Sequence, residues 1–314
     1  MNFPIFPKAA STTAAQTDEL YFFLLGFSIF ILALVFLPMF YFLFKYRRGN
    51  RANRAEINLP TTRIEITWTV IPILMVTGLF AWSARVYFYE EVPPPGALNI
   101  NVIGKQWMWK AQHSEGQQEI NELHIPVDQP VKLTLASEDV IHSFYIPAFR
   151  IKQDVVPGRF TTEWFQATRL GTYDFYCSEY CGTDHSKMAG RVVVMSATEY
   201  RSWLAAGAPR NTLAQSGENL FRELGCSGCH VGSTTVHAPP LEGLYGKMVP
   251  LSDGTFVIAD DKYLRDSILL PSSQIVAGYQ PLMPTYEGHV TEGELLELIA
   301  YLKSIGGSAP PKNP

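Results

Sequence analysis

Leu20 to Phe44 runs 25 residues without a charged side chain, which dictates more about the fold than any other stretch. At 1.5 Å per residue it spans about 37 Å, enough to cross a bilayer's hydrocarbon layer with some tilt. Ile66 to Ser83 adds 18 uncharged residues and continues to Tyr89 past Arg85, whose long stem lets its charge reach the interface. The first stretch is too long for the apolar region of a signal peptide, and no small-residue cleavage site follows it. Pro38 and Pro72 are tolerated in membrane helices, where neighbours satisfy the freed carbonyls. Lys45, Arg47, Arg48, Arg51, Arg54 and Arg63 lie between the two stretches. The excess of positive charge predicts a cytoplasmic loop, with both termini outside.

The 314 residues leave room for two or three domains beyond such a hairpin. The net charge of −4 is uneven: from Thr212 onward there are six basic residues and eleven acids. No basic stripe exists outside the short loop, which excludes a nucleic-acid footprint. Pro93-Pro94-Pro95-Gly96 ends the second helix. From Leu98 to about Ser196 short β-rich runs follow: Leu98–Gly104, Pro130–Ser137, Arg159–Ala167, Gly171–Cys177 and Gly190–Met195. Their spacing predicts a small antiparallel sandwich or barrel. Thr198–Ala206 reads as a helix and Gly207-Ala208-Pro209 as a linker. Helices are then predicted at Glu218–Leu224, Asp260–Leu270 and Thr291–Ser304. The last has a Thr291/Glu294 capping box and an apolar face of Leu295, Leu298, Ile299 and Leu302. Residues 1–19 suggest no regular element.

All four cysteines fall in two motifs. Cys177 and Cys181 flank a three-residue loop, with His185 and Met188 after it and His142 upstream. Thiolate, thioether and imidazole are soft donors that favour copper over hard cations. Two cysteines on one tight loop can bridge a pair of metals, and His142 must reach that pair from another strand. A Cys177–Cys181 disulfide is the alternative in an external compartment. The second motif, Cys226-Ser227-Gly228-Cys229-His230, can form two thioethers along one porphyrin edge and place His230 beneath the iron, as in c-type haem attachment.

Residues about 20–200 resemble subunit II of haem–copper cytochrome c oxidases. The resemblance is carried by Ile64-Glu65-Ile66-Thr67-Trp68-Thr69, by Gly104-Lys105-Gln106-Trp107-Met108-Trp109, by Ser137 to Ser143 and by Cys177 to Met188. It implies a cupredoxin-like domain holding binuclear CuA. Cys177 and Cys181 would bridge, His142 and His185 would each take one copper, and Met188 and the Glu179 carbonyl would be weak axial ligands. It further implies that the Glu179 carboxylate binds a shared Mg or Mn ion, that Trp107 is the electron relay into the site, and that Glu65 lies at the mouth of a proton path. Members served by a soluble basic cytochrome carry carboxylates near Trp107. This chain has Lys110, Ala111, Gln112 and His113 instead, with Glu115 and Glu119 the only acids nearby.

The explanation lies downstream, where residues about 212–305 resemble a class I cytochrome c. Gly217 and Phe221 precede the haem motif and Pro239-Pro240-Leu241-Glu242-Gly243 follows it. By that resemblance the Pro239 carbonyl accepts a bond from the proximal histidine, and a methionine in a proline-flanked loop is the distal ligand. Pro281-Leu282-Met283-Pro284 supplies Met283, with Met248 the competitor. His113, His124, His237 and His289 are expected to be surface or hydrogen-bonded imidazoles.

The expected fold is therefore a multidomain membrane protein: a two-helix transmembrane hairpin, a cupredoxin-like β-sandwich or barrel, and an all-α class I cytochrome c domain. Its divisions are an external segment (1–19), the hairpin (20–92, spans about 20–46 and 65–89), the CuA domain (96–200), a linker (201–211), the haem domain (212–305) and a tail (306–314). The resemblance is to the caa type of oxidase subunit II, in a bacterial inner membrane with both redox domains on the periplasmic side. It implies electron transfer from an external donor (a soluble cytochrome, a copper protein or a membrane complex) through haem c and CuA to subunit I, which reduces oxygen and pumps protons, with subunit III also bound. No residue here is expected to be an oxygen-reduction catalyst. A membrane-anchored copper chaperone would need neither Met188 nor a second histidine. An electron-delivering subunit of a nitrogen-oxide reductase would share the copper site with a different catalytic partner.

Overall fold

The computed structural model describes residues 7–53, 60–207, 211–231 and 238–306. Arg54, His237, linker residues 208–210, the head 1–6 and the tail from 307 lie outside the described residues. The chain divides into two compact units, Thr12–Val92 and the remainder.

The first unit is a helical hairpin of α1 (Thr12–Lys45) and α2 (Thr62–Glu91). Both helices extend past the apolar stretches at each end, and at about 51 and 45 Å they exceed the hydrocarbon thickness. Large apolar side chains such as Phe30, Leu37 and Phe80 are more than half exposed, a surface that only lipid or another protein can cover. The helices run antiparallel: Thr17 at the start of α1 donates to Glu90 at the end of α2 (2.9 Å), and Phe23 packs edge-on against Trp82.

In the second unit ten strands form two five-stranded sheets. These are β1 (Leu98–Lys105), β2 (Met108–His113), β3 (Gln118–Ile120), β4 (Glu122–Pro126), β5 (Pro130–Ser137), β6 (His142–Ile146), β7 (Ile151–Val155), β8 (Thr161–Gln166), β9 (Gly171–Cys177) and β10 (Ala189–Met195). The sheet orders are β3-β2-β1-β5-β8 and β4-β10-β9-β6-β7. Ile100, Leu133, Phe144, Phe165, Phe175 and Val192 fill the space between them. Contrary to the antiparallel expectation, β1 runs parallel to β5 and β4 parallel to β10. The chain leaves the first sheet for β4 and returns to β5, so β5 enters beside β1 in the same direction.

The head of the chain also departs from expectation. Ala10 is 1% exposed, its N–H donates to Ala148 O and its carbonyl accepts from Thr168 N–H; Ser11 bridges Ala167. Small side chains let this segment seat against the sandwich before α1 begins.

Helix α3 (Ala197–Ala206), opened by a Ser196/Glu199 capping box, leads out of the sandwich. The C-terminal segment holds α4 (Leu213–Glu223), α5 (Ser227–His230), α6 (Asp261–Leu269) and α7 (Glu292–Ser304), with a small hairpin of β11 (Met248–Pro250) and β12 (Phe256–Ile258). Thr212 and Thr291 cap α4 and α7 with the side chains of Gln215 and Glu294 reciprocating. The two helices cross so closely that a Cβ on Gly217 would lie 1.9 Å from Glu297 O; only glycine fits. Phe221, Tyr263, Leu264, Ile268, Leu298 and Leu302 make the core.

Candidate metal and haem centres

The sulfur and imidazole donors converge from three chain segments. Cys177 ends β9, His142 opens β6, and the two strands pair through Phe144 and Cys177. The loop after Cys177 is closed by its N–H donating to Met188 O (2.9 Å). Both cysteines are free, with Sγ atoms 3.8 Å apart. His142 Nδ1 stands 3.9 Å from Cys177 Sγ, His185 Nδ1 3.4 Å from Cys181 Sγ, and Met188 Sδ 3.7 Å from Cys181 Sγ. The Glu179 carbonyl is 3.2 Å from Cys177 Sγ, while its side chain is exposed. His142, Cys177, Cys181 and Met188 are buried.

Asp139 orders this cluster. Its Oδ1 accepts from His142 Nε2–H (2.8 Å), which leaves the bare Nδ1 facing the sulfurs. Its Oδ2 accepts the Gln106 N–H, and the Gln106 amide donates to Cys181 O (2.7 Å). Burial pushes the Asp139 carboxyl up, but the Gln106, His142 and Val140 donors outweigh that and hold it below its ordinary value. Burial likewise disfavours a charged His142, yet Cys177 and Asp139 raise its pKa. Burial opposes ionisation of Cys177, but the His142 imidazole and backbone groups of Ser143 and Glu179 lower its thiol to about 6. Burial and the neighbouring Cys177 charge push Cys181 up to about 12. Two thiolates this close repel, so the pair ionises fully only when cations sit between them. The donor set thus fits a pair of soft metal cations such as copper.

Trp107 is half-buried and packs on the sandwich core. Gly182, at φ +118°, leaves room for it: a Cβ there would lie 3.2 Å from the indole ring. Trp109 is fully buried with its ring edge-on to His142. Glu65 lies in the first turn of α2.

In the C-terminal domain the Cys226 and Cys229 motif forms the short helix α5 beside an apolar cavity lined by Phe221, Leu224, Tyr263, Ile268, Leu298 and Met283. His230 Nδ1–H donates to Pro239 O (2.9 Å), leaving Nε2 as the free nitrogen. Met283 packs against the core and lines the cavity; Met248 is 61% exposed on β11 and does not line it. The cavity's apolar walls and the histidine held by a backbone carbonyl fit a haem. Tyr286, also lining the cavity, donates to Leu224 O (3.0 Å) and braces the turn that carries Cys226. No sequence signal marked Tyr286. Asp139 and Gln106 sat inside recognisable segments, where the three-residue step from Asp139 to His142 was the available clue.

A third cluster does something else. Glu119 accepts from His113 Nε2–H (2.8 Å), from the His124 ring and from the His124 backbone N–H (3.0 Å). The Tyr200 hydroxyl pairs with His113 Nδ1 (2.9 Å), and Trp203 stacks on His124. These contacts clamp α3 onto the sheet. Glu119 is 8% exposed, so it is not a docking acid. His289 is exposed, with Nδ1 3.1 Å from Glu287 O.

A membrane hairpin, a sandwich with a buried dithiolate–imidazole–thioether cluster and a helical haem-type cavity together define a membrane-anchored electron carrier with two redox domains. The comparisons agree segment by segment: residues 1–86 match the transmembrane domain of cytochrome c oxidase subunit II, residues 116–197 its periplasmic domain, and residues 214–306 cytochrome c. A cytochrome c oxidase subunit 2 of Alkalihalophilus pseudofirmus is 31% identical, over 88% of this chain and 85% of that protein. An alternative cytochrome c oxidase subunit 2 of Bradyrhizobium diazoefficiens is 28% identical, over 60% of this chain and 78% of that one. A crystal structure of the periplasmic domain of subunit II from Bradyrhizobium japonicum is 31% identical, covering 37% of this chain and 96% of that one, with a TM-score of 0.36. The chain belongs to the cytochrome c oxidase subunit II family, with a cytochrome c domain fused behind the periplasmic domain. It is an electron-transfer subunit of an oxidase complex, anchored by two membrane spans, and associates with the catalytic subunit I.

Proposed function

We propose that this chain feeds the oxidase through two built-in centres, a binuclear copper site and a covalent haem c. Cys177, Cys181, His142, His185, Met188 and the Glu179 carbonyl would hold the copper pair. Cys226 and Cys229 would take the porphyrin, with His230 and Met283 as axial ligands. When bound, these groups supply reversible one-electron chemistry, which no side chain here offers at neutral pH. The observation that carries the reading is the convergence of two thiols, two imidazoles and a thioether, with each neighbouring contact between 3.4 and 3.9 Å, from segments 35 residues apart.

The protein's own part is to position and to exclude water. Asp139 fixes the His142 tautomer and Pro239 the His230 ring. The sandwich core and the apolar cavity keep solvent from the donors. Trp107, lying over the Gly182 backbone, is the proposed route for electrons at the copper site. The exposed Glu179 carboxylate would bind a shared Mg or Mn ion, a hard cation suited to oxygen. Glu65, at the start of α2, would serve a proton path. Subunit III and an external electron donor complete the proposed partners.

The test is composition and spectrum of the purified complex. Two coppers and one covalent haem per chain are expected, with near-infrared absorption from the copper pair. That absorption should disappear in Cys181→Ser, and covalent haem in Cys226→Ala/Cys229→Ala. One copper per chain, or a Cys177–Cys181 disulfide in the working complex, would overturn the copper assignment.

A further inference from the structure

Fusion of two redox domains allows two arrangements: a carrier swinging on a tether, or a standing complex. Relative motion is the default for domains with small polar contacts. The described residues between the sandwich and the haem domain look different.

Phe160, in the turn before β8 of the sandwich, packs against the haem-domain core and also against a buried cluster of Ile103, Ala136 and Leu296. Ile103 and Ala136 are paired neighbours on β1 and β5, and their side chains are 2% and 1% exposed. Leu296 comes from α7, where it lies off the helix's own core face and is 4% exposed. Arg265 of α6 lies over the Phe160 ring, 5.6 Å from its centroid, and is fixed there by Glu292 (2.6 Å). A Cβ on Gly293 would stand 3.5 Å from Ile103 and from Gln112 of β2.

Charged groups also meet across the same face, where Lys132 faces both Asp261 and Lys303. Lys110 acts on Glu297, and Asp261 on Lys132, groups whose burial works against their charged forms. At the margin the Leu213 N–H donates to Ser114 O (3.3 Å), and α3 is already clamped to the sheet by Tyr200 and Trp203. Six residues of sequence separate the end of α3 at Ala206 from the start of α4 at Leu213.

We infer that the haem domain is seated permanently on the outer face of the β3-β2-β1-β5-β8 sheet, with Phe160 as the anchor shared by both domains, so that one electron passes from haem to copper within a standing complex. This inference rests on the two-centre reading above. The dock lies next to the copper loop in the chain: Ile103 and Ala136 immediately precede Gly104 and Ser137, and Ser137 Oγ bonds Val140 O in the loop that carries His142. A rigid dock there keeps the separation constant, and transfer then needs no diffusive search.

The experiment uses the intact oxidised complex and reads the enhancement of copper spin relaxation by the ferric haem, which reports their separation. The wild type should give one narrow distance. Phe160→Ala and Leu296→Asp, altered from opposite sides of the face, should broaden it. In reduced-haem single-turnover measurements the wild-type haem-to-copper rate should be independent of solvent viscosity. The two variants should be slower by roughly tenfold and viscosity-dependent, as expected when a dock gives way to a tether. A broad distance distribution or a viscosity-dependent rate in the wild type would overturn the dock by itself, whatever the variants do. So would variants that keep the wild-type distance and rate. Absence of either spin centre would instead refute the two-centre reading.

Discussion

Asp139 Oδ1 accepts a hydrogen bond from His142 Nε2 at 2.8 Å, while the opposite nitrogen of that ring faces Cys177 Sγ. One carboxylate thereby selects the tautomer of a proposed metal ligand and, through the Gln106 N–H, ties down the turn bearing Trp107.

Replacing that carboxylate should weaken metal binding without unfolding the sandwich. Asp139→Ala is expected to lower copper affinity by about 10–100-fold, the usual cost of losing an orienting partner. Asp139→Asn, which keeps an acceptor, should recover part of it. Competition with a copper chelator, read in the near-infrared, measures both.

The two candidate distal methionines differ in place. Met283 lines the cavity and Met248 is exposed. Met283→Ala should lower the haem reduction potential, because thioether ligation raises it relative to other axial pairs. Met248→Ala should leave it unchanged. A potentiometric titration of each variant decides between them.

The Glu119 cluster makes a pH prediction. Burial would raise this carboxyl, but hydrogen bonds from His113 and His124 bring it from 4.5 down to about 2. A depressed folded-state value means stability that is complete above the unfolded value near 4.5 and is lost as pH falls toward 2. Its size is about 3 kcal/mol. Glu119→Gln should unfold more easily at pH 7 in denaturant, and its difference from wild type should shrink below pH 4. A difference constant from pH 7 to 3 would contradict this.

Gly217 lies where α4 meets the α7 backbone, so close that any Cβ would fall 1.9 Å from Glu297 O. Gly217→Ala should therefore destabilise the haem domain by about 1–3 kcal/mol, the range for overpacking. Thermal melting followed at the haem absorption would register this, while the copper band should survive to its wild-type temperature.

What the sequence disclosed depended on local signals. The hairpin follows from charge-free runs, although α1 begins eight residues before its run. Helix α7 follows from its capping box and period, and β5 and β9 from dense β-branched or aromatic runs, and the bounds of these three agree with the structure. Strands β2, β3, β4, β6 and β7 are short, with few β-branched residues between their polar outward positions, and it is their pairing partners that define them. The parallel pairs were equally hidden, since strand direction depends on the path between sheets. Leu296 reads as an off-face leucine until a second domain covers it. The donor residues were legible as types and spacings; Asp139, Gln106 and Tyr286 act through contacts made only after folding.

The stitching of Ala10 and Ser11 into the sandwich has a bearing on biogenesis. These residues directly precede the first lipid-crossing helix, yet they complete a β-structure that is synthesised after the second one. The head of the nascent chain must be exported before its own sandwich can be sealed. A chain that missed one of its two crossings would leave the head and the sandwich on opposite sides with an open seam, making completion of both spans a condition of folding.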